Sequence, residues 1–349
     1  MANHGDYSRG RATTIVWRSQ ELFSPMGTFA GVDIGGTKCA VSLGQDHGAE
    51  IAVVARHVFP TPPTPEATLA EIIGAIERLS HEGGAVALDA IGVSCGGPLD
   101  SRAGLVLSPP NLPGWDRIDV VAPLRDRFDV PVGLQNDADA GALAEWTWGA
   151  GRGRRNMIFL TFGTGMGAGL ILNGALYTGA NGMVGEVGHM RLEDDGPLGY
   201  GKAGSFEGFC SGGGIARLAR AMAVKRLEGG STLYCPTPAD LPSVTAQRVG
   251  EAARRGDRLA LDVFDIVGRQ LGRGLAMLVD ILNPELIVIG GIYGRQRAIL
   301  EPIALAELRK EALPRSLSAC EIVPAGLGER VGDVASLCVA LHTSASERS

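Results

Sequence analysis

One device appears twice in this chain. Residues 29–32 form a short apolar run that ends on Asp33; the turn Ile34, Gly35, Gly36, Thr37, Lys38 follows, and apolar residues resume over 39–43. Further on, residues 157–162 run into Gly163, Thr164, Gly165, Met166 and Gly167, then out through 168–172 to an Asn173-Gly174 turn. Short apolar runs bounded by glycine read as buried strands, so each copy is a strand, a Gly/Thr-rich turn and a second strand. Such self-similarity predicts two halves of similar architecture. The length agrees, because 349 residues exceed what a single core of roughly 250–300 residues usually organises. Glycine at these turns lets backbone N–H groups approach a ligand closely, which suits a polyphosphate. Neither turn has the P-loop spacing. The run Gly163 to Gly169 leads into a strand rather than opening a helix, so it is not a dinucleotide fingerprint either. Lys38 supplies a cation beside the first turn.

Between the two copies, residues 130–135 read as a strand that passes through Asn136 and Asp137 into an Ala-rich helix. Asn and Asp there satisfy orphan N–H groups as caps. In open α/β sheets the same place, just beyond a strand's carboxyl end, is where ligands bind, so Asp137 is expected to face a crevice. Residues 51–58 complete a three-strand meander, and a helical pattern on Leu69, Ile72, Ile76 and Leu79 follows a Pro/Thr linker. A strand over 87–93 leads to the turn 94–98, an irregular stretch surrounds Asn111, and a helix is expected over 118–128. Residues 179–214 are Gly-rich with little regular pattern, which marks a functional or disordered segment. Helical patterns cover 215–227, 244–255 and 258–282; a strand over 286–289 is closed by Gly290 and Gly291, and a strand over 321–324 precedes a last helix over 331–341. The expected organisation is an α/β domain over 28–140, a second over 141–328, and a closing segment 329–349 that packs back on the first. Residues 1–27 are expected to be a disordered leader, within which Met26 offers an alternative start.

Composition excludes several classes. Hydrophobic residues at 45% against 20% charged describe a well-buried globular chain. A net charge of −6 opposes nucleic-acid binding, which needs a basic face, and the basic run Arg152, Arg154, Arg155 reads as a solvated loop. The six cysteines are scattered without a CxxC pair, as buried thiols in a reducing cytoplasm are. No apolar run of about 18 residues exists to span a membrane.

Asp33 to Lys38, Asn136-Asp137, Gly163 to Gly169 and the run Gly185, Glu186, Val187, Gly188, His189, in that order, resemble the ROK family of repressors, open reading frames and sugar kinases. The resemblance runs from Phe29 to the end of the chain. It implies the actin-like, ribonuclease-H-like ATPase fold: two α/β domains with a central inter-domain cleft that closes on a hexose and ATP. It implies Asp137 as catalytic base, Asn136, Glu186, His189 and Glu207 as sugar ligands, with Asn111 lining the same pocket. Nucleotide falls to Asp33, Gly35, Gly36, Thr37, Lys38, Gly163, Thr164, Gly165, Gly290 and Gly291. Mg2+ would accompany ATP, with Asp33 contacting it through water, and a homodimer is implied. Glucose is the first expectation, from the Glu-Val-Gly-His form; N-acylhexosamine and fructose kinases are alternatives, as is a catalytically silent sugar sensor. Many members bind a structural zinc through the histidine of this run and three cysteines. Those cysteine positions are Leu198, Tyr200 and Ser205 here, so no structural zinc is expected. Tyr200, Phe206 and Phe209 are instead expected to pack the loop and hold His189.

Overall fold

A computed structural model describes residues 13–16, 27–82, 87–227 and 232–347, in two compact units. Unit 1 comprises Met1–Trp148, Thr178–Met183 and Glu329–Ser349; unit 2 comprises Gly149–Tyr177 and Val184–Gly328.

Unit 1 begins with β1 (Thr13–Val16), β2 (Gly27–Ile34), β3 (Lys38–Asp46), β4 (Ile51–Pro60), α1 (Pro65–Glu82) and β5 (Ala90–Cys95). It continues through β6 (Leu99–Asp100), β7 (Leu105–Leu107), β8 (Asp116–Asp119), α2 (Ala122–Phe128), β9 (Val132–Asn136) and α3 (Asp137–Thr147). The main sheet has the order β1-β4-β3-β2-β5-β9. The meander β2–β3–β4 is antiparallel, and β5 and β9 add parallel to β2. Helix α1 buries Ile72, Ile76 and Leu79, the face its spacing defines. The C-terminal helix Val331–Glu347 packs on β2, β5 and β9. It lies over Gly31, Gly92 and Gly133, which stand in register across the three strands. A Cβ at Gly92 would fall 2.1 Å from Ser336 O, and one at Gly133 would fall 2.0 Å from Thr343 Oγ1. Glycine is therefore what permits this close packing.

Unit 2 contains β10 (Met157–Phe162), β11 (Met166–Leu172), β12 (Ala175–Leu176), β13 (Leu198–Gly199), β14 (Lys202–Ala203), α4 (Phe206–Phe209) and α5 (Gly212–Leu227). Then come α6 (Ala246–Arg254), α7 (Arg258–Leu282), β15 (Leu286–Ile289), α8 (Ile292–Arg295), α9 (Arg297–Glu311), α10 (Pro314–Leu317) and β16 (Glu321–Pro324). Its sheet has the order β12-β11-β10-β15-β16, with β10–β11 antiparallel and β15 and β16 added parallel. This is the arrangement β4-β3-β2-β5-β9 over again, and it gives the repeated device its structural meaning.

Several expected boundaries move. The division between units falls at Trp148/Gly149 rather than after residue 140, because α3 is buried almost throughout, from Ala138 to Glu145. Within the leader, Thr13–Val16 is a strand paired with β4; the leader's other residues before Gly27 lie outside the described ones. The helix expected over 118–128 starts at Ala122, since Asp116–Asp119 pairs with β7. Residues 179–214 contain a hairpin, β13–β14, and the short helix α4.

Candidate active site

In unit 1 three parallel strands end side by side. Ile34 of β2 pairs with Cys95 of β5, which pairs with Asn136 of β9, so Asp33, Asn136 and Asp137 come to one edge of the sheet. Asn136 caps α3: its Oδ1 accepts from Ala138 N at 2.8 Å, and Asp137 Oδ1 accepts from the same N–H at 2.9 Å. The Asp137 side chain is exposed. The turn after β2 is closed by Gly35 N donating to Lys38 O (3.1 Å), and Thr61 Oγ1 donates to Gly35 O at 2.5 Å. A Cβ on Gly36 would lie 2.3 Å from Asn111 O, so the loop carrying Asn111 rests directly on the glycine turn. Lys38 opens β3 and is exposed.

Electrostatics single out Asp33. Burial, with the nearby Asp137 and Asp333 carboxylates, pushes its carboxyl up to about 7, while Lys38 and Arg56 oppose the rise. Asp333 stands in the first turn of the C-terminal helix and accepts from Arg56 Nε at 2.7 Å. Burial raises its carboxyl too, and Arg56 pulls it back. Sequence reading missed both partners: Arg56 and Asp333 are far apart in the chain, and a lone acid in a helical first turn reads as an ordinary charge favourable to the helix dipole.

Unit 2 assembles the other expected residues around its own turn. Gly163 N donates to Gly165 O (3.1 Å), and Gly212 N of α5 donates to Gly163 O at 2.7 Å. Gly291, at φ 61°, sits so close that a Cβ would meet Phe162 O at 2.3 Å; the Gly290-Gly291 turn thus flanks the Gly163 turn. Glu207, in the first turn of α4, accepts from Met166 N at 3.2 Å. A Cβ on Gly188 would lie 3.1 Å from the Glu207 Cβ, and His189 N donates to Glu186 O at 3.1 Å. Glu186, His189, Glu207 and the Gly163–Gly165 turn are accordingly one neighbourhood. The α5 start, Gly212 to Gly214, is an addition to the expected set; three glycines before an apolar-periodic stretch were its visible signal. Phe206 and Phe209 are buried, whereas Tyr200 is 63% exposed. Phe206 and Phe209 thus pack the loop as expected, while Tyr200 stays largely exposed but does contact His189, ring edge to face at 4.9 Å between centroids. Among the described residues no group of three or more His, Cys, Asp or Glu is placed to hold a metal ion.

A meander followed by parallel strands, built twice, with a glycine turn at the same strand end in each copy, is the actin-like ATPase fold. Within it the assignment narrows: residues 29–340 match the ROK family, and the chain belongs to that family. The glucokinase of Streptomyces coelicolor is 32% identical over 311 residues, covering 88% of this chain and 95% of that protein. The solved structure of a ROK family glucokinase from Streptomyces griseus, in complex with glucose and AMPPNP, superposes with a TM-score of 0.75 at 31% identity, covering 90% of this chain and 100% of that one. A xylose repressor of Caldicellulosiruptor bescii is 30% identical over 230 residues, 66% of this chain but only 55% of the repressor.

Proposed function

We propose that this chain is a sugar kinase that transfers the terminal phosphoryl group of ATP to a hexose hydroxyl, with glucose as the first substrate. One observation carries the reading. The strand ends of unit 1 bring Asp33, Asn136 and Asp137 together beside a glycine turn backed by Asn111, and unit 2 gathers Glu186, His189 and Glu207 beside its own glycine turn. Phosphoryl transfer asks chiefly for positioning and electrostatic stabilisation, with one group to orient the attacking hydroxyl. Asp137, with one oxygen on Ala138 N and an exposed side, takes that role and receives the hydroxyl proton. Asn111, Asn136, Glu186, His189 and Glu207 supply donors and acceptors for the other hydroxyls.

The residues fit ATP and Mg2+. A Cβ on Gly163 would meet nothing within 4 Å, which leaves that turn an open backbone face for a phosphate. Thr164, Gly165, Gly290 and Gly291 extend the face, and Gly35, Gly36, Thr37 and Lys38 form its counterpart in unit 1. Asp33 offers oxygen to a hard cation, as Mg2+ requires. When bound, Mg2+ supplies charge neutralisation on the phosphates.

Glucokinase relatives favour glucose; N-acetylmannosamine, N-acetylglucosamine and fructose are the competing acceptors. The repressor relative favours a second reading, a catalytically silent sugar sensor, which retention of Asp137 and both glycine turns opposes. A cytoplasmic homodimer is the proposed setting; among the described residues no helix is long and apolar enough to cross a membrane. ADP release measured with glucose, mannose, fructose, N-acetylglucosamine and N-acetylmannosamine, with ATP and polyphosphate as donors, tests the reading. Sugar binding without turnover on any of them would select the sensor.

A further inference from the structure

The turn of the β13–β14 hairpin is Tyr200-Gly201, with φ of 47° and 75°. Two successive positive φ values in a two-residue hairpin define the turn whose first position belongs to asparagine, aspartate or glycine. A tyrosine there carries a backbone penalty that those residues avoid. Burial does not compensate, since the ring is 63% exposed while Phe206, nearby in the same segment, is fully buried. The ring nevertheless has a definite place, at 72° to the His189 ring.

The hairpin is tied on both sides. Lys202 Nζ donates to His189 O at 2.7 Å and Arg191 Nη1 donates to Ala203 O at 2.9 Å, which fixes it to the segment bearing His189. Ser205 Oγ donates to Lys202 O at 3.2 Å and accepts from Gly208 N at 3.0 Å, which fixes it to the helix bearing Glu207. An aromatic side chain that is strained, exposed and set edge to face against the ring of His189 has the attributes of a ligand contact, because strain that persists marks a functional constraint. A pyranose fits this place chemically. It presents an apolar C–H face, which an aromatic ring covers, and a rim of hydroxyls, which the phenol and the neighbouring polar groups meet.

We propose that Tyr200 is a hexose-contacting residue, its ring covering one face of the sugar whose hydroxyls His189 and Glu207 bind. The proposal rests on the sugar-kinase reading above. Its test compares wild type with Tyr200→Asn, which suits the positive φ but removes the ring, and with Tyr200→Phe, which keeps it. Steady-state kinetics use glucose, or whichever of the five sugars turns over fastest, and calorimetry measures binding of that sugar in an Asp137→Asn background. Tyr200→Asn raises the sugar KM and dissociation constant about tenfold, the equivalent of about 1.4 kcal/mol. The ATP KM, kcat at saturating sugar and thermal midpoint stay near wild type, and Tyr200→Phe remains within about threefold of wild type for the sugar. An unchanged sugar KM in Tyr200→Asn, or equal losses for sugar and ATP, overturns the proposal while leaving the kinase reading intact. If wild type neither binds nor phosphorylates any of these sugars, both fall.

Discussion

Replacing Asp33 with asparagine should make the protein more stable at alkaline pH, even though it removes a group proposed to serve the nucleotide. Asp33 is raised from 3.8 to about 7 by burial and by the neighbouring Asp137 and Asp333. That corresponds to at most about 4 kcal/mol favouring the neutral form; the side chain is partly exposed, so screening reduces it to about 2 kcal/mol. Between pH of about 4 and about 7 the native state holds a proton at Asp33 that the unfolded chain has released. Stability from this group is therefore present at low pH and lost as pH rises through that window, and an asparagine at this position has no such contribution to lose. The stability advantage of Asp33→Asn should widen by about 1–2 kcal/mol from pH 5 to pH 8. All four tryptophans, at 17, 115, 146 and 148, precede Gly149, so fluorescence during urea unfolding follows the unit that contains Asp33. With EDTA present to remove cations, and a slope of about 2 kcal/mol per molar urea, the difference in midpoints should grow by about 0.5–1 M. A difference that stays flat or narrows with rising pH would refute the charge frustration assigned to Asp33.

Asp137→Asn should lower kcat by about 10²- to 10⁴-fold with sugar binding largely retained, read by coupled ADP release and calorimetry; wild-type turnover would remove the base assignment. Gly92→Ala should destabilise unit 1 by about 2–3 kcal/mol, because its methyl would collide with the backbone of the C-terminal helix. Gly332→Ala, where a Cβ meets nothing within 4 Å, should be neutral or slightly stabilising by the same tryptophan assay. Arg56→Met strands the partly buried Asp333 carboxylate and should cost about 1–3 kcal/mol. Adding Asp333→Asn should recover part of that loss in a double-mutant cycle.

The glycine turns, the apolar strands and the Asn136-Asp137 step were legible because each is local: period, composition and a strand end suffice to place them. Arg56–Asp333 was not, since the partners come from a meander strand and the last helix, and no local signal links them. Nor was the unit boundary. The Asn136-Asp137 step marks where chemistry begins, whereas the boundary follows burial, and α3 stays buried through Glu145. Tyr200 was half legible: its contact with His189 was expected, but an aromatic residue in a glycine-rich loop also suggests burial, and only the backbone angle reveals that it occupies a place aromatics avoid.

The two copies of the turn diverge where chemistry is concerned. Ile34 pairs with Cys39 across the first turn and Phe162 with Met166 across the second, so Asp33 and Thr161 hold equivalent places. Asp33 is a frustrated carboxylate with Lys38 across the turn, whereas Thr161 Oγ1 is spent on the frame itself, accepting from Gly167 N at 2.9 Å. One copy thus keeps a carboxylate whose ionised form the native state disfavours, and the other presents backbone alone. The asymmetry fits the proposed function: a metal-bearing phosphate would need a counter-charge, while a nucleotide's remaining phosphates would need only N–H groups at close range. Thr161→Asp should therefore be a poor exchange. It places a second frustrated carboxylate beside the Gly163–Gly165 turn and repels the phosphates proposed to lie there. The ATP KM should rise about tenfold or more with the sugar KM little changed, and an unchanged ATP KM in steady-state kinetics would show that this turn does not face phosphate.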